Sequence, residues 1–277
     1  MDSHRLSVLL VDRAGISETI MRVLVLGGTS EASELARRLA DDTRFSLTLS
    51  LAGRTASPLP QPISQRVGGF GGADGLAGWI AAEHIEAIID ATHPFAARIS
   101  AQAVTAARRA GVPILTLRRP PWPRQAGDAW TCVDSAEAAA AALGGERKHV
   151  FLTIGRQELA AFRAAPQHAY LIRSIDPPDE NDLPPDAELI LQRGPFDDQA
   201  ESALMRTRAI DVLVAKNSGA AATYAKIAAA RALRLPVIMI DQPQKPSGIV
   251  VNDVAAACAW LSALVDDHSG APSERGV

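Results

Sequence analysis

The sequence predicts an α/β protein with two parallel-sheet domains and a cleft between them. Short apolar runs rich in Val, Ile and Leu alternate with alanine-rich amphipathic stretches, as expected when helices cover both faces of parallel strands. One of these runs turns through two glycines into a helical stretch, and the alternation pauses at Leu143-Gly144-Gly145 before it restarts. With 277 residues, of which 47% are hydrophobic, the chain has enough material for two cores.

The first half predicts four strands and four helices. The strands are expected near residues 22–27, 46–51, 86–91 and 113–117, and the helices near 30–41, 74–83, 95–110 and 135–143. Pro94 is a good first-turn residue and is expected to open the third helix.

The second half repeats the pattern after the pause, which we interpret as the domain boundary. Strands are expected near 149–154, 169–174, 188–192, 211–216 and 236–240, and helices near 156–164, 197–208, 220–233 and 253–265. The predicted organisation is an N-terminal extension (1–20), a first Rossmann-like domain (21–144), a second α/β domain (145–265) and a C-terminal tail (266–277).

Composition excludes several classes of function. Lys and Arg total 28 against 31 Asp and Glu, and a net charge of −3 provides no global positive field for nucleic acid or an anionic membrane. The apolar part of residues 1–20 is too short for a membrane span. Cys132 and Cys258 are far apart and lack ligand spacing, so we expect no metal site and a reducing cytoplasm.

The strongest local signal is Gly27-Gly28-Thr29-Ser30-Glu31, directly after the apolar run 23–26. A buried strand that turns through glycines into a helix presents backbone N–H groups to a phosphate, as in dinucleotide-binding folds. The alternative is an ordinary tight turn, because only two glycines are present. The hydroxyls of Thr29 and Ser30 either cap the helix or bind a pyrophosphate.

Two further segments of the first half bear on the cofactor. The second strand is followed by Gly53-Arg54, where an NAD-binding fold usually carries an acid. An arginine there favours a 2′-phosphate, so we expect NADPH. The glycine-rich stretch 66–72 contains Gly69 and Phe70, and either lets backbone approach a ligand or is a plain turn.

The segment Asp90-Ala91-Thr92-His93-Pro94-Phe95 joins a predicted strand to a predicted helix. His93 either lines this turn or contacts the nicotinamide or the substrate, and a helix N-terminus would keep its ring neutral. Thr92 either caps the helix or binds ligand.

In the second half, Lys216-Asn217-Ser218-Gly219 places polar donors between a strand end and a predicted helix, which favours an anion site over a simple cap. Other polar residues at strand ends are Arg118, Arg119, Arg156, Arg173, Ser174 and Arg193. A series of basic residues at one sheet edge suits a substrate with many carboxylates. The chain lacks a P-loop, a G-x-S-x-G elbow and a Tyr-x-x-x-Lys pair.

Several of these motifs, in this order, resemble the precorrin-6A reductase family of cobalamin biosynthesis. The segments that carry the resemblance, which runs from about residue 21 to about 246, are Leu26–Glu31, Ala52–Arg54, Gly68–Gly71, Asp90–Ala96, Leu117–Pro120, Thr153–Arg156, Gln192–Phe196 and Lys216–Gly219. The resemblance implies an NADPH-dependent oxidoreductase that reduces the bond between carbons 18 and 19 of the macrocycle precorrin-6A, giving precorrin-6B. It also implies that neighbouring enzymes of the pathway are partners.

The resemblance and the residue patterns together give one expected site. The first domain would hold NADPH and the second an anionic tetrapyrrole, with His93 or Lys216 supplying or relaying the proton. The expected cofactor ligands are Gly27, Gly28, Thr29, Ser30, Glu31, Gly53, Arg54, Gly69, Phe70, Thr92, His93 and Pro94. The expected substrate ligands are Arg118, Arg119, Arg156, Arg173, Ser174, Arg193, Lys216, Asn217 and Ser218. The alternatives are an NADP-dependent reductase of another large anionic substrate and a non-catalytic NADPH-sensing protein.

Overall fold

The computed structural model describes residues 20–53, 60–246 and 248–269. The described chain divides into two compact units. The first contains residues up to Arg118, together with the segment that begins at Lys245, and the second runs from Arg119 to Gln244. The expected N-terminal extension lies outside the described residues except for Ile20, as does the tail beyond residue 269.

Strands and helices alternate along the described chain. In order they are β1 (Met21–Leu26), α1 (Ser30–Leu39), β2 (Phe45–Leu51), β3 (Ser64–Val67), α2 (Gly72–Ala82), β4 (Ala87–Asp90), α3 (Ala97–Ala110), β5 (Ile114–Leu117), β6 (Trp130–Val133), α4 (Ala136–Ala142), β7 (His149–Thr153), β8 (Ala169–Ser174), β9 (Ala187–Leu191), α5 (Asp198–Thr207), β10 (Val212–Lys216), α6 (Ala225–Ala232), β11 (Val237–Ile240), β12 (Ile249–Val251) and α7 (Val254–Ser269). The described residues also form 3-10 helices at Arg156–Ala164, Glu180–Asp182 and Ala221–Thr223.

Each unit is built on a six-stranded parallel sheet, which confirms the predicted α/β class. The strand orders are β12-β5-β4-β1-β2-β3 and β6-β11-β10-β7-β8-β9. Five strands of each sheet are connected in the same way: β5-β4-β1-β2-β3 in the first sheet corresponds to β11-β10-β7-β8-β9 in the second. The sheets differ in the origin of the sixth strand, which is β12 beside β5 and β6 beside β11. All nine predicted strands are present, with ends shifted by at most one residue.

The division into units corrects the expected domain boundary at residue 144. Strand β6 precedes that boundary, but it pairs with β11 in the second sheet, in the register Val237 with Trp130. Strand β12 follows β11 in the chain and pairs with β5 in the first sheet. The chain therefore changes sheets near residues 118 and 245, and the glycines at 144 and 145 lie in a loop inside the second unit.

The first sheet shows why its strands read as continuous apolar runs. Alternate residues of β1 point to opposite faces, so Val23 and Val25 pack into one core cluster and Leu24 and Leu26 into another. Each buried side chain of this size contributes about 1.5–3 kcal/mol. This double burial fixes the position of the turn that follows β1.

Two predicted helix starts are wrong. Helix α3 begins at Ala97, because Pro94 and Phe95 form a turn in which the Ala96 N–H donates to the His93 carbonyl (2.8 Å). The helix expected at 220–233 is a short 3-10 turn followed by α6, which begins at Ala225. The predicted helix at 156–164 has 3-10 geometry.

Candidate functional site

The first sheet has its topological switch point between β1 and β4. From β1 the chain continues to β2 on one side, and from β4 to β5 on the other, so the loops diverge at the carboxyl ends of the two central strands. Leu26 and Asp90 are register partners at this end. Ligands of open α/β sheets bind in the crevice that such a divergence creates.

The glycine turn after β1 lies at this switch point. The Gly27 N–H donates to the Ser50 carbonyl of β2 (2.9 Å), which ties the turn to the neighbouring strand. Gly28 has a φ of +113°, which L side chains rarely adopt, and a Cβ built on it would meet no atom of the described residues within 4 Å. The backbone of the turn is therefore open on the side where Gly28 lacks a side chain.

Thr29 caps helix α1, which is one of its two predicted roles. Its hydroxyl accepts from the Ala32 N–H (3.1 Å) and donates to the Ala91 carbonyl (2.8 Å), so the residue also joins the ends of β1 and β4. The Ser30 hydroxyl donates to the Glu31 carboxylate (3.1 Å).

A buried ion pair supports the turn after β4. Asp90 accepts hydrogen bonds from the Thr92 N–H (3.1 Å) and hydroxyl (2.6 Å), while the Lys245 Nζ lies 3.1 Å from the Thr92 Oγ1 and 3.4 Å from the Asp90 Oδ2. The side chains of Asp90 and Lys245 are only 2% and 3% exposed. Burial lowers the pKa of Lys245, and Asp90 opposes that shift. Thr92 thus belongs to this network and does not cap α3, whose N-cap is Ala96.

His93 and Pro94 form the turn itself. The His93 Nδ1 accepts from the Phe95 N–H (3.3 Å), so the neutral ring carries its hydrogen on Nε2. The imidazole is half-buried and lies against the Phe95 ring, with centroids 5.7 Å apart, whereas Pro94 is buried. This arrangement places a ring with a donor nitrogen on the loop beside the glycine turn.

The remaining cofactor candidates lie at the ends of β2 and β3. Gly53 ends the described part of the loop after β2, and Arg54 lies outside the described residues. Gly69 is exposed, and the Phe70 ring contacts Trp79 edge-on at 5.5 Å. Phe70 also packs against the core beneath α2.

The second sheet has its own switch point, between β7 and β10. Because all its strands are parallel, the polar residues predicted at the ends of β7, β8, β9 and β10 share one edge, as expected. At the switch point Lys216 forms an ion pair with Glu158, a residue of the 3-10 helix after β7.

Asn217 and Ser218 hold a neighbouring segment and do not start a helix, contrary to the prediction. The Asn217 side chain accepts from the Trp122 N–H (2.7 Å) and donates to the Trp122 carbonyl (3.4 Å). The buried Arg119 donates through Nε to the Ser218 carbonyl (2.9 Å). The Ser218 hydroxyl accepts from the Ala220 N–H (3.4 Å).

Arg173 is bound inside the protein. Its guanidinium makes two hydrogen bonds to Glu201 (2.5 and 2.6 Å) and lies 3.9 Å from the centroid of Phe196, and both side chains of the pair are less than 5% exposed. Burial lowers the pKa of the nearby Lys226 to about 8, with Arg173 adding to the shift and Glu201 opposing it. The Ser174 hydroxyl donates to the Asp176 carbonyl (2.7 Å).

Three of the predicted substrate arginines reach solvent. Arg193 is exposed, and Arg118 and Arg156 are half-buried. One Arg156 Nη1–H donates to the Pro177 carbonyl at 3.4 Å. Among the residues that the structure describes, no group of three His, Cys, Asp or Glu side chains is placed to hold a metal ion. No described helix is both long enough and apolar enough to cross a membrane.

Sequence analysis missed three charged residues of these networks. Lys245 comes from a segment 155 residues beyond Asp90, and Glu201 and Lys226 lie on amphipathic helices of ordinary appearance. A charged side chain at a position of predicted helix burial was the available signal for Glu201 and Lys226.

Comparison with known proteins agrees with this architecture. The model of the precorrin-6x reductase CbiJ/CobK family matches residues 22–262. The precorrin-6A reductase of Sinorhizobium sp. is 58% identical over 228 residues, which are 82% of this chain and 87% of that protein. The enzyme of the same name from Rhodobacter capsulatus is 49% identical, covering 92% of this chain and 99% of that protein.

A solved structure supports the same assignment. The structure of CobK precorrin-6A reductase superimposes with a TM-score of 0.83 at 48% identity, and the match covers 93% of this chain and all of that one. The family model spans most of the chain, and the chain matches 87% and 99% of the length of the two relatives. The chain therefore belongs to the CbiJ/CobK family of precorrin-6x reductases.

Proposed function

We propose that this protein is a precorrin-6A reductase of cobalamin biosynthesis, which uses NADPH to reduce the bond between carbons 18 and 19 of precorrin-6A, giving precorrin-6B. The observation that carries the proposal is the open glycine turn at the switch point of the first sheet, in a chain of the precorrin-6x reductase family. The names of the curated relatives support the substrate.

The residues present fit a phosphorylated dinucleotide. A Cβ at Gly28 would occupy the open space beside the turn, where the pyrophosphate of such a cofactor binds in this class of sheet. The described residues at the end of β2, from Ser50 to Gly53, include no carboxylate to bind a ribose 2′-hydroxyl. The lack of a carboxylate in this described segment favours NADPH over NADH, as does Arg54 in the sequence.

The reaction consumes one hydride and one proton: the π bond of one C=C bond breaks, the C–C single bond remains, and each of the two carbons gains one C–H bond. When bound, NADPH supplies the hydride. The chain positions the reactants and moves the proton, and the Nε2–H of His93 is the donor group on the loop beside the glycine turn. Lys216 is the second candidate for the proton, and it forms an ion pair with Glu158.

In this proposal the second unit binds the carboxylates of the macrocycle. Arg156 and Arg193 follow β7 and β9 on the same sheet edge and reach solvent. Arg119 and Asn217 act indirectly, because their side chains hold the loops of that edge in place. Arg173 also acts indirectly, because it joins β8 to α5 through Glu201. We also assign the enzyme to the cytoplasm, together with neighbouring enzymes of the pathway.

The decisive experiment follows NADPH absorbance with purified protein and precorrin-6A, with product mass as a second readout. The proposal predicts stoichiometric NADPH oxidation and a product heavier by two hydrogen atoms, with NADH a poor substitute. Oxidation with only another anionic substrate would favour a different reductase, and NADPH binding without oxidation would favour a sensor. Arg54→Ala should weaken NADPH binding far more than NADH binding.

Single-turnover reduction tests the proton donors. His93→Ala and Lys216→Ala are each compared with wild type over a range of pH. The variant that lacks the donor is expected to slow by about 100-fold or more and to lose the corresponding pH dependence. If both variants reduce precorrin-6A at the normal rate, neither residue is the donor.

A further inference from the structure

Arg66 lies at the same sheet edge as the glycine turn, two strands away. Ser50 of β2 links the two places: its carbonyl accepts from the Gly27 N–H (2.9 Å), and its hydroxyl accepts from the Arg66 Nη1 (2.8 Å). Ser50 and Arg66 are also register partners in the β2–β3 pair. Arg66 therefore lies on the β2 side of the turn, away from β4 and His93.

The guanidinium of Arg66 is held in a fixed orientation by neutral groups. Besides Ser50 it donates to the carbonyls of Gly68 (3.0 Å) and Gly69 (3.2 Å). Its Cζ lies 3.8 Å from the centroid of the Phe70 ring and 5.6 Å from that of Trp79. Hydrogen bonds and stacking together restrict the side chain, so little conformational entropy remains to be lost when a ligand binds.

The positive charge of Arg66 has no acidic partner among the described residues. Burial lowers the pKa of the guanidinium, and no carboxylate of the described residues opposes that shift. Of its five N–H donors, both on Nη1 and one on Nη2 reach acceptors, and the Nε–H and the other Nη2–H have no acceptor among the described residues. A partly desolvated, oriented and uncompensated arginine is the chemistry that binds a phosphate.

Arg44 provides a contrast at the opposite end of β2. It also lies over a phenylalanine, 5.2 Å from the Phe45 centroid, but its Nε and Nη2 both donate to Asp42 (3.0 and 2.7 Å). Its charge is therefore already paired with a carboxylate of the chain, at the end of the strand where ligands do not bind.

We propose that Arg66 binds the 2′-phosphate of NADPH and is a residue that selects NADPH over NADH. The inference rests on the proposed function, which places the pyrophosphate at the Gly27-Gly28 turn. In a sheet of this order the adenosine ribose extends from that turn across the end of β2, toward β3 and Arg66.

The test compares two ligands that differ only in the 2′-phosphate, adenosine 2′,5′-bisphosphate and 5′-AMP, by calorimetric titration. Arg66→Met is expected to weaken the bisphosphate by about tenfold or more and 5′-AMP by less than about twofold. The matched control Arg44→Met should change neither affinity. Equal losses of both ligands in Arg66→Met, or no loss of either, would overturn the assignment.

Two further arms separate this inference from the proposed function. Wild-type protein that binds both ligands equally well would contradict the NADPH proposal. A preference that is as large in Arg66→Met as in wild type would contradict only the role of Arg66, whereas a reduced preference that remains is the expected contribution of Arg54. Because Arg66→Met removes loop contacts, Arg66→Lys is measured beside it. Lysine keeps the positive charge but lacks the planar set of guanidinium N–H donors, so Arg66→Lys is expected to prefer the bisphosphate over 5′-AMP by less than wild type and by more than Arg66→Met. A preference equal to that of wild type would contradict recognition by the guanidinium geometry.

Discussion

The two sheets of this protein share a strand order and a switch point, but their carboxyl edges are built from different chemistry. At the first edge the central turn is made of glycine backbone, and Arg66 is held by neutral acceptors. At the second edge most polar side chains are already engaged: Lys216 with Glu158, Arg173 with Glu201, and Asn217 with Trp122. The same topology therefore supports one edge with open donors and one edge stabilised by internal bonds.

The two corners that look alike in sequence show the difference most directly. Within the described part of the chain, a Cβ on Gly28 meets nothing within 4 Å, whereas a Cβ on Gly219 would lie 2.0 Å from the Pro120 carbonyl oxygen. Gly28 is required because its φ is positive. Gly219 is required because its φ is positive and because the backbone of Pro120 lies too close for a side chain. A strand-end glycine motif thus marks either a ligand site or a packing contact, and only the surroundings decide which.

The largest expected effect comes from Glu201→Gln, which removes one of the internal ion pairs that distinguish the second edge from the first. The substitution leaves the buried guanidinium of Arg173 without its counter-charge beside the buried Lys226, so it should lower the free energy of unfolding by about 3–5 kcal/mol. Urea unfolding at neutral pH measures the change. Glu188→Gln is the matched control, because its pair with Arg208 is 53% and 41% exposed and contributes less than about 1 kcal/mol. If both variants lose the same free energy of unfolding, the Arg173–Glu201 pair does not stabilise the second edge more than a surface pair does.

Lys226 gives the next effect, as a dependence of stability on pH. Its pKa is lowered to about 8 from 10.5, so between these values the unfolded chain binds more protons than the folded one, and stability rises with pH. Below pH 8 the cost of burying the ammonium is present in full; across the window wild type should gain up to about 3 kcal/mol from this group. Lys226→Met should remove that gain. Parallel curves for the two proteins, from urea unfolding at pH 7 to 10.5, would rule the effect out.

A pair of glycine substitutions sharpens the comparison of the two corners. Gly219→Ala combines positive-φ strain with a clash against the Pro120 carbonyl, and should destabilise the fold by about 2–3 kcal/mol. Gly28→Ala carries only the strain, about 1 kcal/mol, and fills the space beside the turn. NADPH titration should show weaker binding in Gly28→Ala and unchanged binding in folded Gly219→Ala. The reverse pattern would mean that the corners have been assigned the wrong way round.

Local signals in the sequence predicted most of the fold. The apolar run of β1 and the cap at Thr29 depend on residues within one turn or strand, so both could be predicted. Strands β3, β6 and β12 were missed because each has at most four residues and lies at a sheet edge with exposed side chains. The boundary was misplaced for the same reason, since the pairing of β6 with β11 is invisible locally.

The site was predicted less completely, because its charged partners are distant in the chain. From the sequence, Arg173 is predicted as a ligand at a strand end, because its pairing with Glu201 is visible only in the structure. Likewise, Asp90 is predicted as part of a ligand-binding loop, because its partner Lys245 lies 155 residues away in the chain. By contrast, the open turn at Gly28 depends on adjacent residues, and the pattern of a strand, two glycines and a helix was sufficient to place it.

The smallest stability change, and the sharpest functional one, is expected from Glu158→Gln. Its pair with Lys216 is partly exposed, with side chains at 35% and 15%, so the free energy of unfolding should change by less than about 1 kcal/mol. If Lys216 binds a carboxylate of the substrate, as proposed, that carboxylate competes with Glu158 for the ammonium in wild type, and Glu158→Gln removes this competitor. Precorrin-6B titrated into the variant should therefore bind about three- to tenfold more tightly, with a steeper dependence on salt. Unchanged or weaker binding would show that Lys216 does not contact the carboxylates of the ring, and would leave its pair with Glu158 as one more internal bond of the second edge.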